Sequence, residues 1–191
     1  MTQATQGIRW TIHDLEVLPQ SEGTRYEIIA GELFMTRAPH YRHQQVIGKV
    51  FRQLDLWSEN TGLGVAIITP GVIFSDADSV IPDVVWVSYD RLAQIEDDAG
   101  HLTDAPELVV EVLSPGVQNQ RRDREAKLKL YSIQGVREYW LCDRDIPKLE
   151  VYRRQNAQLQ LTATLYPDDE ITSPLLPGFA TAVRSLFPSL Q

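Results

Sequence analysis

Between residues 40 and 58 the apolar positions Ile47, Val50, Phe51, Leu54 and Trp57 recur every three to four residues, which predicts a helix with one buried face. A second helix is predicted over 119–134, with Gly135 placed to end it in a left-handed conformation. Near the N-terminus Thr11, followed three residues later by Asp14, resembles a capping box and opens a short helix that stops at Pro19. Strand-type runs fill much of the remainder. Residues 25–37 carry Ala30-Gly31 between two such runs and read as a hairpin, and 63–74 reads as two strands pivoting at Pro70-Gly71. Further strands are expected at 137–143, 148–154 and 158–166, the first two joined by a turn containing Pro147. The Pro-punctuated tail, 171–188, is expected to pack a last short strand and helix onto the body.

Two runs break the amphipathic pattern. VVWVS, after Pro82-Asp83, and ELVVEVL, after Pro106 and ending at Ser114-Pro115, are apolar on both faces, as strands in the middle of a sheet are. Helices on the faces of a mixed sheet make the fold class α/β, or α+β.

Composition narrows this further. A length of 191 residues suits one domain, read here as 10–191, preceded by a loose arm at 1–9. Hydrophobic residues at 43% and charged residues at 23% are an ordinary globular balance. With 18 Lys+Arg against 26 Asp+Glu the net charge is −8, which argues against a surface that binds nucleic acid everywhere but leaves room for a local basic site. The single cysteine, Cys142, excludes an internal disulfide framework and a multi-cysteine zinc site, and points to a reducing cytoplasm. The N-terminus lacks the pattern of a signal peptide. The longest uncharged stretch, 60–75, is broken by Gly62, Gly64, Pro70 and Gly71, so no membrane association is expected.

Asp83 and Glu111 are the candidate chemistry. Each lies in a strand that otherwise reads as buried, where an ionised carboxylate is costly unless something positive satisfies it. Side by side on neighbouring strands they would repel unless a cation sat between them, and Mg²⁺ is often held by only one or two carboxylates. The alternative is structural: Asp83 as a strand-start residue after Pro82, and Glu111 paired with an arginine. On the 119–134 helix, plotted at about 100° per residue, Ala126, Leu130, Tyr131 and Ile133 define an apolar arc. Asp123 and Lys127 fall inside it, Arg124 and Lys129 outside. A lysine facing the sheet needs an anion, which Glu111 supplies; an ordinary Asp123–Lys127 pair at i,i+4 is the competing reading. Two acids and a lysine suffice to hydrolyse a phosphodiester, with the acids on a metal and the lysine assisting the water.

Other candidates carry less weight. Glu27 becomes a further acid if the hairpin leans over the sheet edge, whereas Glu32 reads as an exposed hairpin charge. His43 shares a face with Ile47 and is either a satisfied histidine beneath the hairpin or a catalytic one. Cys142 reads as a small core residue, and Asp143 and Asp145 as turn formers. Residues 121–129 carry a net +3, and Arg37, His40, Arg42 and His43 form a second basic cluster. If the two meet around the acids they form a local phosphate-binding rim; solvated surface charge is the competing reading.

Taken in order, Tyr26-Glu27-Ile28-Ile29-Ala30-Gly31-Glu32-Leu33, His43, Pro82-Asp83-Val84, Glu111-Val112-Leu113-Ser114-Pro115, Asp123-Arg124-Glu125-Ala126-Lys127 with Tyr131, and Gly135-Val136-Arg137-Glu138-Tyr139-Trp140 resemble the Uma family of restriction-endonuclease-like proteins. That family is a lineage of the PD-(D/E)XK nuclease superfamily. The resemblance spans about residues 10–186. It implies a restriction-endonuclease-like core, a mixed central sheet flanked by helices, with an N-terminal helix and hairpin. It further implies a Mg²⁺-dependent endonuclease acting on DNA, with Mn²⁺ as a possible substitute; because cutting both strands calls for two sites, a homodimer is the expected assembly. Asp83 and Glu111 would be the metal-binding acids, the Val112 carbonyl a further ligand, and Glu27 and His43 second-tier members of the site. The superfamily's Glu-x-Lys would put lysine at 113, where this chain has Leu113; Lys127 is the position that matches a lysine displaced to the following helix. A fold-retaining but inactive binding or assembly module is the alternative, and hydrolysis of a smaller phosphodiester a third.

Overall fold

The computed structural model describes residues 8–19, 23–37 and 40–188. Thr11 opens α1 (Ile12–Leu15), and the Asp14 carboxylate accepts from both its backbone N–H and its hydroxyl, at 2.7 and 2.8 Å. The hairpin forms as β1 (Arg25–Ile29) and β2 (Glu32–Thr36); Ala30 and Gly31 both take positive φ, as a two-residue primed turn requires. Most of the expected arm lies outside the described residues, but Arg9 at its end donates to the Ala30 carbonyl.

The long helix α2 (Tyr41–Thr61) runs three residues past its predicted end and stops at Gly62 in a left-handed cap. Next come β3 (Gly64–Ile68), β4 (Val72–Ser75), β5 (Asp78–Val80) and β6 (Val84–Ser88), then α3 (Tyr89–Ile95) and β7 (Leu108–Val112). β5 and α3 are too short to carry a readable period in the sequence.

The segment predicted as one regular helix is interrupted. α4 (Val117–Arg121) leads into a π-helical turn, Arg122–Lys127, before α5 (Leu128–Gln134) ends at Gly135. The chain continues through β8 (Glu138–Asp143), β9 (Lys148–Gln155), β10 (Gln158–Leu165), β11 (Glu170–Thr172) and β12 (Ala180–Ala182) to a 3-10 turn at Val183–Leu186. The tail therefore holds two strands and a turn rather than a strand and a helix.

Six strands form the central sheet in the order β10-β9-β8-β7-β6-β3, antiparallel except for the parallel pair β7 and β8. A four-stranded sheet, β2-β1-β5-β4, carries the hairpin. The double-faced apolar strands are central, as expected, and their residues alternate between two cores. Val84, Trp86, Val110 and Trp140 face α2 and the C-terminal tail. Val85, Val109, Tyr139 and Leu141 face α5, α3 and the second sheet. Gly64 permits the close approach of β3, since a Cβ there would fall 2.3 Å from the Val87 carbonyl oxygen.

Candidate active site

β6 and β7 are antiparallel with Val84 opposite Val110, so Asp83 stands level with Glu111 one step further along. Residues opposite one another share a face, and alternation from Val85 and Val109 puts both acids on the α5 side. Both are buried. Asp83 Oδ2 accepts from the Val112 N–H at 2.8 Å, which ties the carboxylate to the end of β7.

Lys127 is 2% exposed, and its ammonium lies 2.8 Å from Glu111 Oε1 and 2.9 Å from Glu27 Oε1. The hairpin does lean over the sheet edge, and Glu27 is buried; its Oε1 also accepts from the Ile81 N–H at 2.9 Å. Tyr131 donates to Glu111 Oε1 at 2.8 Å. Glu32 is exposed, as the sequence suggested. Asp123 does not take Lys127 as its partner: Arg122 Nε donates to it at 2.9 Å and Arg122 Nη1 lies 3.8 Å from Glu27.

The π turn accounts for the inward direction of Arg122 and the outward direction of Ile133, both at odds with a regular helical phase. At about 100° per residue, positions 122 and 127 point roughly 140° apart. A wider i→i+5 turn advances only about 80° per residue, bringing the two to within roughly 40–50°. Arg122, Asp123 and Lys127 are accordingly all buried. Beyond the turn the register has shifted, and Ile133, expected in the apolar arc, is 68% exposed while Leu130 and Tyr131 remain buried.

His43, at the start of α2, reaches the same sheet end. Its Nε2 lies 2.9 Å from the Val112 carbonyl oxygen and 3.3 Å from Asp83 Oδ2. Both neighbours are acceptors, so Nε2 carries the proton. Nδ1 is buried without a partner among the described residues.

Three buried acids, Glu27, Glu111 and Asp123, thus contact two permanent cations, Arg122 and Lys127, while the fourth, Asp83, is held by His43 and the Val112 N–H. With all four ionised the cluster carries two negative charges more than positive ones, which one divalent ion would balance. Among the described residues no group of three or more His, Cys, Asp or Glu side chains stands ready to hold a metal. The set that fits Mg²⁺ is smaller: Asp83, Glu111 and the second lone pair of the Val112 carbonyl, all lining one cavity of about 250 Å³. Asp83 Oδ1 and Glu111 Oε2 are not among the buried atoms left unpartnered, and neither accepts a hydrogen bond from a described residue.

Burial, opposed by Lys127 and reinforced by Asp83, Glu27 and Asp123, pushes the Glu111 carboxyl up to about 8. A carboxyl raised on folding contributes stability that is complete below its ordinary value of 4.5 and is lost as pH rises through its folded value. The metal-free protein is therefore expected to lose unfolding free energy between about pH 5 and pH 8 from this group, as urea titrations across that range would register. A flat profile would contradict it.

The two basic clusters meet at the cavity, but not as a free rim. Arg122 and Lys127 are consumed by acids. Arg121 pairs with Glu125 at 2.8 Å and Arg124 with Glu150, away from it. Arg37, His40 and His43 line the cavity, joined by Arg25 and Arg144, which the sequence did not single out; Arg42 instead lies over the Tyr41 ring. Asp143 makes turn contacts to the Asp145 and Ile146 N–H groups, and Cys142 is fully buried. No helix among the described residues is long and apolar enough to cross a membrane.

A family model, Uma2, described as "Putative restriction endonuclease", matches residues 12–184. Among solved structures, five chains match. One is a crystal structure described as "a putative nuclease belonging to DUF820" from Anabaena variabilis, with a TM-score of 0.73 and 20% identity, covering 93% of this chain and 97% of that one. At that identity the likeness establishes the fold. The curated proteins give no match.

Proposed function

The chain belongs to the Uma2 family of restriction-endonuclease-like proteins, and from that membership we propose that it is a Mg²⁺-dependent endonuclease hydrolysing DNA phosphodiester bonds. The observation that carries this reading is the buried cluster in which Asp83, Glu111 and Lys127 converge on one cavity, with two acids more than its paired cations satisfy.

Asp83, Glu111 and the Val112 carbonyl would hold the ion. When bound, it would polarise the phosphoryl oxygen and lower the pKa of the attacking water. Lys127 orients that water and stabilises negative charge building on the phosphorus-bound oxygens. Glu27 holds Lys127 in place from the side opposite Glu111, and Arg122 helps balance Glu27 and Asp123. His43, donating towards Val112 and Asp83, positions the two strand ends, so its role is orientation rather than proton transfer. The hairpin sheet and the central sheet share one core through Ile29, Val80, Val85 and Val109, which supports reading residues 10–191 as a single domain. On an acidic body, DNA binding is local, metal-dependent and salt-sensitive. A homodimer would set two such sites against two strands.

Supercoiled plasmid incubated with the protein and Mg²⁺ or Mn²⁺ should be nicked by the wild type and not by Asp83→Ala. Equal nicking by both would trace the activity to a contaminant and overturn the assignment. Absence of nicking, together with no Mg²⁺ binding by calorimetry, would favour a non-catalytic binding or assembly module.

A further inference from the structure

β8 runs parallel to β7, and the Leu113 N–H donates to the Cys142 carbonyl at 2.9 Å, so the chain leaves β8 at the sheet end where Asp83 and Val112 stand. Arg144 is the first residue beyond β8. Its side chain is 10% exposed and lines the same cavity as Asp83, Glu111 and Lys127. Nε and Nη1 are buried without a hydrogen-bond partner among the described residues. Among the described residues the one carboxylate in ion-pair range, Asp145, is 3.5 Å from Nε, beyond a good charged hydrogen bond, and its side chain is 64% exposed.

That arrangement is unlike the other buried cations of the site. Arg122 and Lys127 each have carboxylates within hydrogen-bond reach. Leaving a buried donor unsatisfied costs about 1–3 kcal/mol, more for a charged group. The cost is offset if an anion enters the cavity. Arg37 and His40 on the rim are exposed, so their pull is screened by water; Arg144 acts from a desolvated position, where the same charge is worth more.

We propose that Arg144 is a phosphate-binding residue of this cavity, donating to a non-bridging oxygen of the phosphodiester that Asp83, Glu111 and Lys127 act on. The inference rests on the endonuclease reading for its substrate. The anion class follows from the guanidinium's planar donors, which match phosphate geometry better than a point charge does. Because the acids repel anions, Arg144 supplies the attraction that lets a phosphate approach them before metal neutralises the site.

Two measurements separate this from the endonuclease reading. In the metal-free protein, inorganic phosphate should raise the melting temperature of the wild type beyond that of chloride at matched ionic strength. Arg144→Gln should bind phosphate about tenfold more weakly, with Arg144→Lys intermediate. In nicking assays Arg144→Gln should lose about 10²-fold in kcat/KM. Arg144→Gln should fold at least as stably as the wild type, since Nε and Nη1 of Arg144 have no hydrogen-bonded partner to lose among the described residues. Equal protection of wild type and Arg144→Gln by phosphate overturns the proposal even if the wild type nicks DNA. Arg144-dependent protection in a protein that does not nick DNA would support the phosphate site and sink the endonuclease reading.

Discussion

Lys127→Met should destabilise the protein by about 3–5 kcal/mol, the range expected when one member of a buried ion cluster is removed. The stem of the side chain is preserved, so little of that loss is cavity. It comes from Glu27 Oε1, left with the Ile81 N–H alone, and from Glu111 Oε1, left with the Tyr131 hydroxyl alone. Two carboxyl groups then face one another with no ammonium between them. A diagnostic follows from the same contacts: Glu27→Gln combined with Lys127→Met should recover part of the loss, because the uncompensated charge is removed with its partner. Urea unfolding at pH 7 of the single and double variants measures this. A loss below about 1 kcal/mol for the single variant would mean the cluster is solvated and the burial argument fails. Under the endonuclease reading, single-turnover nicking should also fall by about 10²–10⁴-fold.

Glu111→Gln should separate stability from function in the opposite direction. Gln keeps an acceptor for Lys127 and Tyr131, but it cannot ionise. Burial holds the native carboxyl up at about 8, so forcing it to ionise at higher pH works against the fold. The variant should match the wild type near pH 5 and exceed it by pH 8, flattening the pH dependence; the ceiling is about 1.4 kcal/mol per pH unit of the window. Metal binding should be lost at the same time, because one of the two acids proposed to hold the ion is gone. Calorimetry with Mg²⁺ and nicking assays would register at least about a 10³-fold fall in activity. A variant that is both less stable at pH 8 and still active would contradict the assignment of Glu111. The wild type, for its part, should bind Mg²⁺ more tightly at pH 8 than at pH 6, since binding releases the proton from Glu111.

How far the chain could be read depended on the kind of signal. Strands β6 and β7 were legible because their runs are apolar on both faces, and a buried acid inside such a run is conspicuous. Lys127 was legible from helical phase alone, as the two candidates in the wrong phase, Arg124 and Lys129, are half-buried and exposed. Arg122 was not legible, because its inward direction depends on a π turn that no residue pattern announced. Arg144 was hidden in a turn, where periodicity carries no information. Glu27 was conditional: its place in the site rests on where the hairpin sheet packs against the central one.

By itself the sequence determined the alternation that makes β6 and β7 central, the hairpin at Ala30-Gly31, the long helix from 41, and the identities of the residues able to do chemistry. Those properties are local, since they follow from side-chain periodicity of 2 or 3.6 and from turn conformations open to few residue types. Tertiary structure decided which of those residues meet. Antiparallel register set Asp83 beside Glu111, the hairpin sheet brought Glu27 to Lys127 from 100 positions away in the chain, and the π turn swung Arg122 inward. The electrostatics were decided there too. A carboxyl's charge cost depends on how much water is removed and which charges replace it, and neither exists until distant segments have packed.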